Sequence, residues 1–198
     1  MTSRRRRRPP SGGRGLAFNA ERPDSLSVET TITQLTQTLL DSYTRAGGIN
    51  HLDGKNLPSK RAITTLSRDL LRLLFPGFFD EKPVHSSEIA PLTNGLLKAV
   101  LAPLEKEIYK SLTYLPPPEY PRKNLRVVAR QLTLELLASL PHIRERLQTD
   151  IEAAYNGDPA ALSREEVIVA YPFVETLAIQ RLAHELYRQK VPLIPRIM

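Results

Sequence analysis

His184 and Glu185 open the string His-Glu-Leu-Tyr-Arg, in which a histidine precedes a carboxylate. A zinc protease helix needs a second histidine four residues after the first, so that both imidazoles share one face. Position 188 is Arg188, which excludes that zinc site. The other three histidines are far apart and the chain has no cysteine. The sequence therefore predicts no metal site and no cysteine nucleophile.

Arg181 and His184 share one face of a predicted helix with Leu177. In a functional interpretation the pair would form an anion site or supply a general base. In a structural interpretation the face packs at an interface, with Arg181 paired to Glu185 one turn later. We expect the packing role.

Five consecutive arginines, Arg4 to Arg8, stand near the start of the chain. They account for most of the formal net charge of +7, because residues 16–198 hold 22 basic and 21 acidic residues. Such a run attracts phosphates electrostatically but has no interleaved aromatic rings to stack on bases. The arginines repel one another, and Pro9, Pro10 and the nearby glycines do not favour a packed element. The sequence therefore predicts a disordered Arg-rich tail over residues 1–24. We do not expect nucleic acid as a partner.

Beyond residue 24 apolar residues recur three or four positions apart, the spacing of one helix face, and no strand-like alternation is present. Gly47-Gly48 and Pro76-Gly77 are predicted to end the first two helices. Pro103 is expected to kink or divide the third helix, and Pro141 to open another that ends at Asn156-Gly157. The sequence therefore predicts an all-α fold, a multi-helix antiparallel bundle.

Two further signals concern the last third of the chain. Ser163 stands three residues before Glu166, the spacing of a capping box at a helix start. The segment Val-Ile-Val-Ala-Tyr-Pro-Phe-Val is predicted to be helical and broken at Tyr171-Pro172. No apolar run has the roughly 20 residues that span a bilayer, and no secretory signal follows the basic start. We expect a cytoplasmic protein without a membrane partner.

The segment from Asn156 onward resembles the serine O-acetyltransferase family of cysteine biosynthesis. Its matching features are Asp158-Pro159-Ala160-Ala161, Glu166-Val167-Ile168, Tyr171-Pro172, Arg181-Leu182-Ala183-His184-Glu185-Leu186-Tyr187 and Val191-Pro192-Leu193-Ile194-Pro195-Arg196. The order and spacing carry the resemblance, over about 40 residues. The chain departs from the family at Phe173, where a glycine usually follows the Tyr-Pro pair.

The resemblance implies an enzyme that transfers an acetyl group from acetyl-CoA to the serine hydroxyl, giving O-acetylserine. The family joins a helical N-terminal domain to a β-helix of hexapeptide repeats, where a histidine base and an aspartate act. Residues 25–198 then correspond to the helical domain, which serves oligomerisation and the serine pocket. The repeats are absent from this sequence. We therefore expect no catalytic residue here, no cofactor bound by this chain, and an inactive chain alone.

The resemblance also implies a substrate-binding residue and partners. Asp158 matches the aspartate of the helical domain that helps hold the substrate amino acid, and a carboxylate suits an α-ammonium group. Local turn chemistry before Pro159 is the alternative role. The family assembles as trimers or hexamers, and its C-terminal tail, missing here, binds O-acetylserine sulfhydrylase.

Two other functions remain open at this point. One is a stand-alone helical interaction module whose basic arm binds nucleic acid or an acidic partner. The other is a helical scaffold that binds a full-length transferase and alters its assembly.

Overall fold

A computed structural model describes residues 27–198, so the predicted tail over residues 1–24 lies outside the described residues. The described chain forms α1 Val28–Arg45, α2 Lys60–Leu74, α3 Ile89–Tyr114, α4 Leu125–Gly157, α5 Arg164–Ala170, α6 Pro172–Arg188 and α7 Ile194–Ile197. Single 3-10 turns follow α1 and precede α3 and α4. No strand occurs within residues 27–198, which confirms the all-α prediction.

The chain divides into two compact units, the first ending at Leu52 and the second running from Asp53 to Met198. The described part of the first unit is mainly α1, whose N-terminal amide at Thr30 is capped by the Ser27 hydroxyl. The side chains of the predicted apolar face are all exposed, namely Val28, Ile32, Leu35, Leu39 and Tyr43. Taken by itself, α1 is an amphipathic helix with an uncovered apolar face.

In the second unit α3 packs most extensively on α4, α2 on α3, and α6 on α4. Most residues that the helical spacing placed on apolar faces are buried there, namely Ile63, Leu66, Leu70, Leu74, Leu96, Val100, Leu104, Ile108, Ala129, Leu132, Leu136, Val174, Ala178, Leu182 and Leu186. Five others predicted for these faces are only partly buried, namely Leu73, Ile89, Leu92, Leu125 and Val128. Each fully buried leucine or isoleucine contributes about 2 kcal/mol through its removal from water. The core of the second unit therefore runs along one stripe of each of its long helices.

Two prolines lie inside long helices. Pro103 lies within α3, which is not divided there, and Pro141 lies within α4. The prediction that Pro141 opens a separate helix is wrong. A proline inside a helix costs about 3 kcal/mol, but Leu140 and Ile143 on either side of Pro141 are both buried in the core. Burial of these side chains on both sides of Pro141 offsets the lost hydrogen bond.

The predicted break at Tyr171-Pro172 is confirmed, since α5 ends at Ala170 and α6 begins at Pro172. The predicted cap of α5 is confirmed in its first half, because the Ser163 hydroxyl accepts a 3.1 Å bond from the Glu166 amide. The Glu166 carboxylate reaches back to the amide of Leu162 instead of that of Ser163, at 2.7 Å. Two side chains, Ser163 and Glu166, therefore accept hydrogen bonds from backbone amides at the start of α5.

One buried charge ties α2 to α3. Glu107 on α3 is 3% exposed, and its Oε2 accepts a 2.7 Å hydrogen bond from the Ser59 amide at the start of α2. Its Oε1 pairs with the Lys110 ammonium, also at 2.7 Å.

No described helix combines the length and the hydropathy needed to cross a bilayer.

Candidate functional site

Asp158 directly follows α4 and has an extended backbone, at φ −111° and ψ 105°. Its side chain is half-buried at the start of the loop that leads to α5. Carboxylate Oδ1 accepts a 2.9 Å hydrogen bond from the Ala160 amide, and Oδ2 accepts a 2.5 Å bond from the Tyr171 hydroxyl. The loop therefore holds the carboxylate in one orientation.

Both hydrogen bonds favour the charged form of Asp158. The bond from Tyr171 is the larger cause that lowers the pKa of Asp158, and the bond from the Ala160 amide is the second. Asp158 is therefore ionised at neutral pH. Each of its oxygens has a second lone pair, so the carboxylate can accept further hydrogen bonds from a cation.

Tyr171 is the junction between α5 and α6, at φ −94° and ψ 111°. This extended conformation is the one favoured before a proline, and Pro172 then starts α6. The ring of Phe173 meets the ring of Tyr171 edge-on, with the centroids 6.2 Å apart. The hydrogen bond to Asp158 raises the pKa of Tyr171, so its hydroxyl stays protonated and remains a donor.

An ion pair connects the two helices that flank the loop carrying Asp158. Arg164, the first residue of α5, pairs with Glu152 on α4 through Nη2 and Oε2 at 2.8 Å. The Arg164 guanidinium also lies over the Tyr155 ring, 4.7 Å from its centroid. The ion pair joins the last turns of α4 to the first turn of α5, which limits how far Asp158 can move.

Arg181 and His184 lie on α6 and are not joined to Asp158 by any described contact. Arg181 is paired with Asp150 on α4, with Nε at 3.0 Å from Oδ2. Glu185, its predicted partner, instead accepts from Arg188 at 3.3 Å, so that pairing was wrong. The reason is tertiary, since the packing of α4 on α6 brings a carboxylate from another helix to Arg181. His184 is exposed to solvent.

Comparison with known proteins places this arrangement in context. The plasmid serine acetyltransferase of Synechococcus elongatus is 32% identical over 145 residues, 71% of this chain and 46% of that protein. Another serine acetyltransferase of the same organism is 40% identical over 52 residues, 26% of this chain and 21% of that protein. The crystal structure of serine acetyltransferase isoform 3 from Entamoeba histolytica, in complex with cysteine, matches with a TM-score of 0.52 and 27% identity. That match covers 85% of this chain and 54% of the Entamoeba chain. No protein-family model matches.

The chain is a serine acetyltransferase homologue. It spans about half the length of the Synechococcus plasmid enzyme and about half that of the Entamoeba isoform 3 chain. The resemblance noted in the motifs from Asn156 onward is thereby confirmed, and it extends upstream of them, because 145 matched residues far exceed the motif segment.

In this serine acetyltransferase homologue, residues 27–198 contain no group of three or more histidine, aspartate or glutamate side chains that could hold a metal ion. Sequence reasoning missed one member of the site, Tyr171, as the partner of Asp158. The signal was present, since both residues belong to the motifs of the resemblance and lie thirteen positions apart. Their contact depends on how the loop after α4 and helix α5 fold back, which the residue spacing does not specify.

Proposed function

We propose that this chain is the helical part of a serine O-acetyltransferase, an enzyme that transfers an acetyl group from acetyl-CoA to the serine hydroxyl in cysteine biosynthesis. The homology to serine acetyltransferases over 46% and 54% of their lengths supports the proposal. Acetyl-CoA is the co-substrate of the whole enzyme and is not bound by this chain. We also propose a cytoplasmic location for the enzyme.

Asp158 is proposed to bind the α-ammonium group of serine. The observation that carries this role is the ionised carboxylate, oriented by Tyr171 and Ala160 and still half-exposed. Hydrogen bonds between an ammonium group and a carboxylate are among the stronger ones available to a protein. The structure of the Entamoeba enzyme contains cysteine, an amino acid with the same α-ammonium group.

The proposed division of labour assigns substrate binding to this chain and proton removal to another part of the enzyme. The one histidine among the motif residues, His184, is exposed and has no described contact with Asp158. A carboxylate with a lowered pKa is a poor base for a hydroxyl. The general base is therefore proposed to lie in the half that the relatives have beyond the matched residues.

The proposed inactivity of the chain alone has a direct test. Purified chain is mixed with serine and acetyl-CoA, and the released CoA thiol is measured with a thiol reagent. The chain has no cysteine, so the protein itself gives no signal. We expect no thiol release above the reaction without protein, and sustained release would contradict the proposed division.

The role of Asp158 is tested in a chimera in which this chain replaces the matched half of the Synechococcus plasmid enzyme. Asp158→Asn is expected to raise KM for serine about tenfold, because it removes a charge-assisted contact. KM for acetyl-CoA is expected to stay the same. Asp41→Asn on α1 is the matched control and is expected to change neither constant. An unchanged serine KM in Asp158→Asn, or a folded chimera without acetyl transfer, would contradict the proposal.

We also propose that the helical part contributes to self-association, and that the whole enzyme binds O-acetylserine sulfhydrylase through a C-terminal tail. The exposed apolar face of α1 supports self-association. Leu35→Glu places a charge on that face and is expected to lower the mass measured by analytical ultracentrifugation. Gln34→Glu, on the opposite face of α1, is the matched control. Equal masses for the two variants would contradict the use of this face.

A further inference from the structure

A groove of about 560 Å³ lies on the surface between α3 and α4, away from the Asp158 loop. Its charged lining consists of Lys106, Lys110, Arg126, Arg130 and the single carboxylate of Glu105. This volume is within the range of small-molecule sites, about 300 to 1,000 Å³. The groove therefore combines suitable size with an excess of positive charge.

The cations are spaced so that they repel one another. Lys106 and Lys110 are one turn apart on α3, and Arg126 and Arg130 are one turn apart on α4. Like charges four residues apart on a helix destabilise it, since their side chains are neighbours. Both helices carry such a pair towards the same groove, and in each pair one cation has a carboxylate partner, Glu107 for Lys110 and Glu105 for Arg130.

Two of the four cations already have a carboxylate partner. Lys110 pairs with buried Glu107 at 2.7 Å, and Arg130 is 3.9 Å from Glu105. Lys106 and Arg126 have no carboxylate among the ion pairs of residues 27–198. The Arg126 guanidinium lies over the Tyr109 ring, 5.1 Å from its centroid, which holds it at the groove wall.

Other described grooves differ in charge. The groove beside α2 sets three cations against the four carboxylates of Asp69, Asp80, Glu81 and Glu88. The groove beside α4 and α5 sets Arg144 and Arg164 against three glutamates. A groove at the end of α6 has two cations, Lys190 and Arg196, against Glu119. The groove between α3 and α4 has four cations against one carboxylate, a larger excess than in these three grooves.

We propose that this groove binds a small polyphosphate anion, inorganic or nucleotide, other than the acetyl-CoA that the rest of the enzyme takes. Lys106 and Arg126 donate to its oxygens, and a guanidinium fork suits phosphate oxygens in particular. The Tyr109 ring and the Ala102 methyl group supply apolar wall for an organic portion of the ligand. This site is independent of the proposed serine contact at Asp158.

The test uses the full chain with Arg4 to Arg8 changed to glutamine in every sample, so that the arginine run does not bind the probe. Sodium pyrophosphate is titrated calorimetrically at low ionic strength. The double variant Lys106→Gln/Arg126→Gln is expected to bind at least about tenfold more weakly. The matched control Lys98→Gln/Arg146→Gln also removes one lysine of α3 and one arginine of α4, but outside the groove. It is expected to keep the affinity.

Equal weakening in both double variants would show an effect of net charge alone and would overturn the site. Absence of pyrophosphate binding by the unsubstituted groove would overturn it as well. A parallel titration with ADP separates two sources of the anion, since tighter binding of ADP indicates a nucleotide and equal binding indicates the inorganic group. The thermal-unfolding midpoint of each variant is measured beside the titration, so that loss of binding is separated from loss of fold.

Discussion

The hydroxyl of Tyr171 donates a 2.5 Å hydrogen bond to Oδ2 of Asp158, across thirteen residues of chain. This bond joins the end of α4 to the start of α6. It has opposite effects on the two groups, since it lowers the pKa of the carboxyl and raises the pKa of the phenol. The proposed substrate contact is therefore coupled to the break between α5 and α6.

Tyr171→Phe is expected to raise the pKa of Asp158 towards its ordinary value, because it removes the hydrogen bond that lowers this pKa most. In the unsubstituted chain the lowered pKa stabilises the fold above the ordinary aspartate pKa. That stabilisation is lost as pH falls through the pKa of the folded state. The variant should show a smaller loss of stability between pH 5 and pH 2. Carbon-detected NMR titration of the carboxyl measures the pKa directly.

The same bond predicts behaviour at alkaline pH. The raised pKa of Tyr171 contributes stability below the ordinary tyrosine pKa, which disappears as pH rises through the folded value. Tyr171→Phe reduces this dependence without abolishing it, because burial also raises the pKa of Tyr120. Tyr187→Phe, which alters a 65% exposed residue, leaves the dependence in place. If both variants kept the pH dependence of the unsubstituted chain, the Tyr171–Asp158 bond would not be its cause.

Glu107→Gln is expected to lower the free energy of unfolding by about 2 kcal/mol. The amide can still accept from the Ser59 amide, but the Lys110 ammonium, with a side chain 13% exposed, loses its counter-charge. Urea denaturation measures the change. Glu105→Gln is the matched control, and its partner Arg130 is 64% exposed and 3.9 Å away, so we expect a change below about 1 kcal/mol. Similar losses in the two variants would refute the importance of burial.

The Arg181–Asp150 pair is expected to show a favourable coupling free energy of about 1 kcal/mol in a double-mutant cycle with Arg181→Gln and Asp150→Asn. The two side chains are 14% and 26% exposed, and both Nε and Nη2 of the arginine donate to Oδ2. The cycle for Arg188 and Glu185 is the comparison, and there the arginine is 65% exposed. A coupling as small as in that comparison would remove the pair from the contacts that hold α6 on α4.

Lys190→Gly is expected to stabilise the chain by about 0.5 to 1 kcal/mol. Lys190 follows α6 with φ of +58°, a left-handed conformation that glycine adopts without a Cβ penalty. The amides of Lys190 and Val191 bond to the carbonyls of Tyr187 and Leu186, the pattern of a Schellman cap. Lys190→Ala shortens the side chain but keeps Cβ, so a thermal-unfolding midpoint that rises equally in both variants would exclude backbone strain as the reason.

The helical spacing of apolar residues was sufficient to predict the all-α class and most of the buried core. Leu70, Leu136 and Leu182 are buried because a stripe on each helix leaves one face to pack. Local signals also located the cap at Ser163 and the break at Tyr171-Pro172. The prediction at Pro141 was wrong because it used only the preference of proline for the first turn of a helix. That preference takes no account of the burial of Leu140 and Ile143 on either side of the proline.

The sequence by itself determined the helices, the family motifs and the candidate Asp158, because spacing and local backbone preference act within a few residues. Only the tertiary structure decided the partners: Tyr171 for Asp158, Asp150 for Arg181 and Ser59 for Glu107. Those pairs lie 13 to 48 residues apart in the chain. Contact between such distant residues depends on which helix faces meet, and residue spacing along one helix does not specify that.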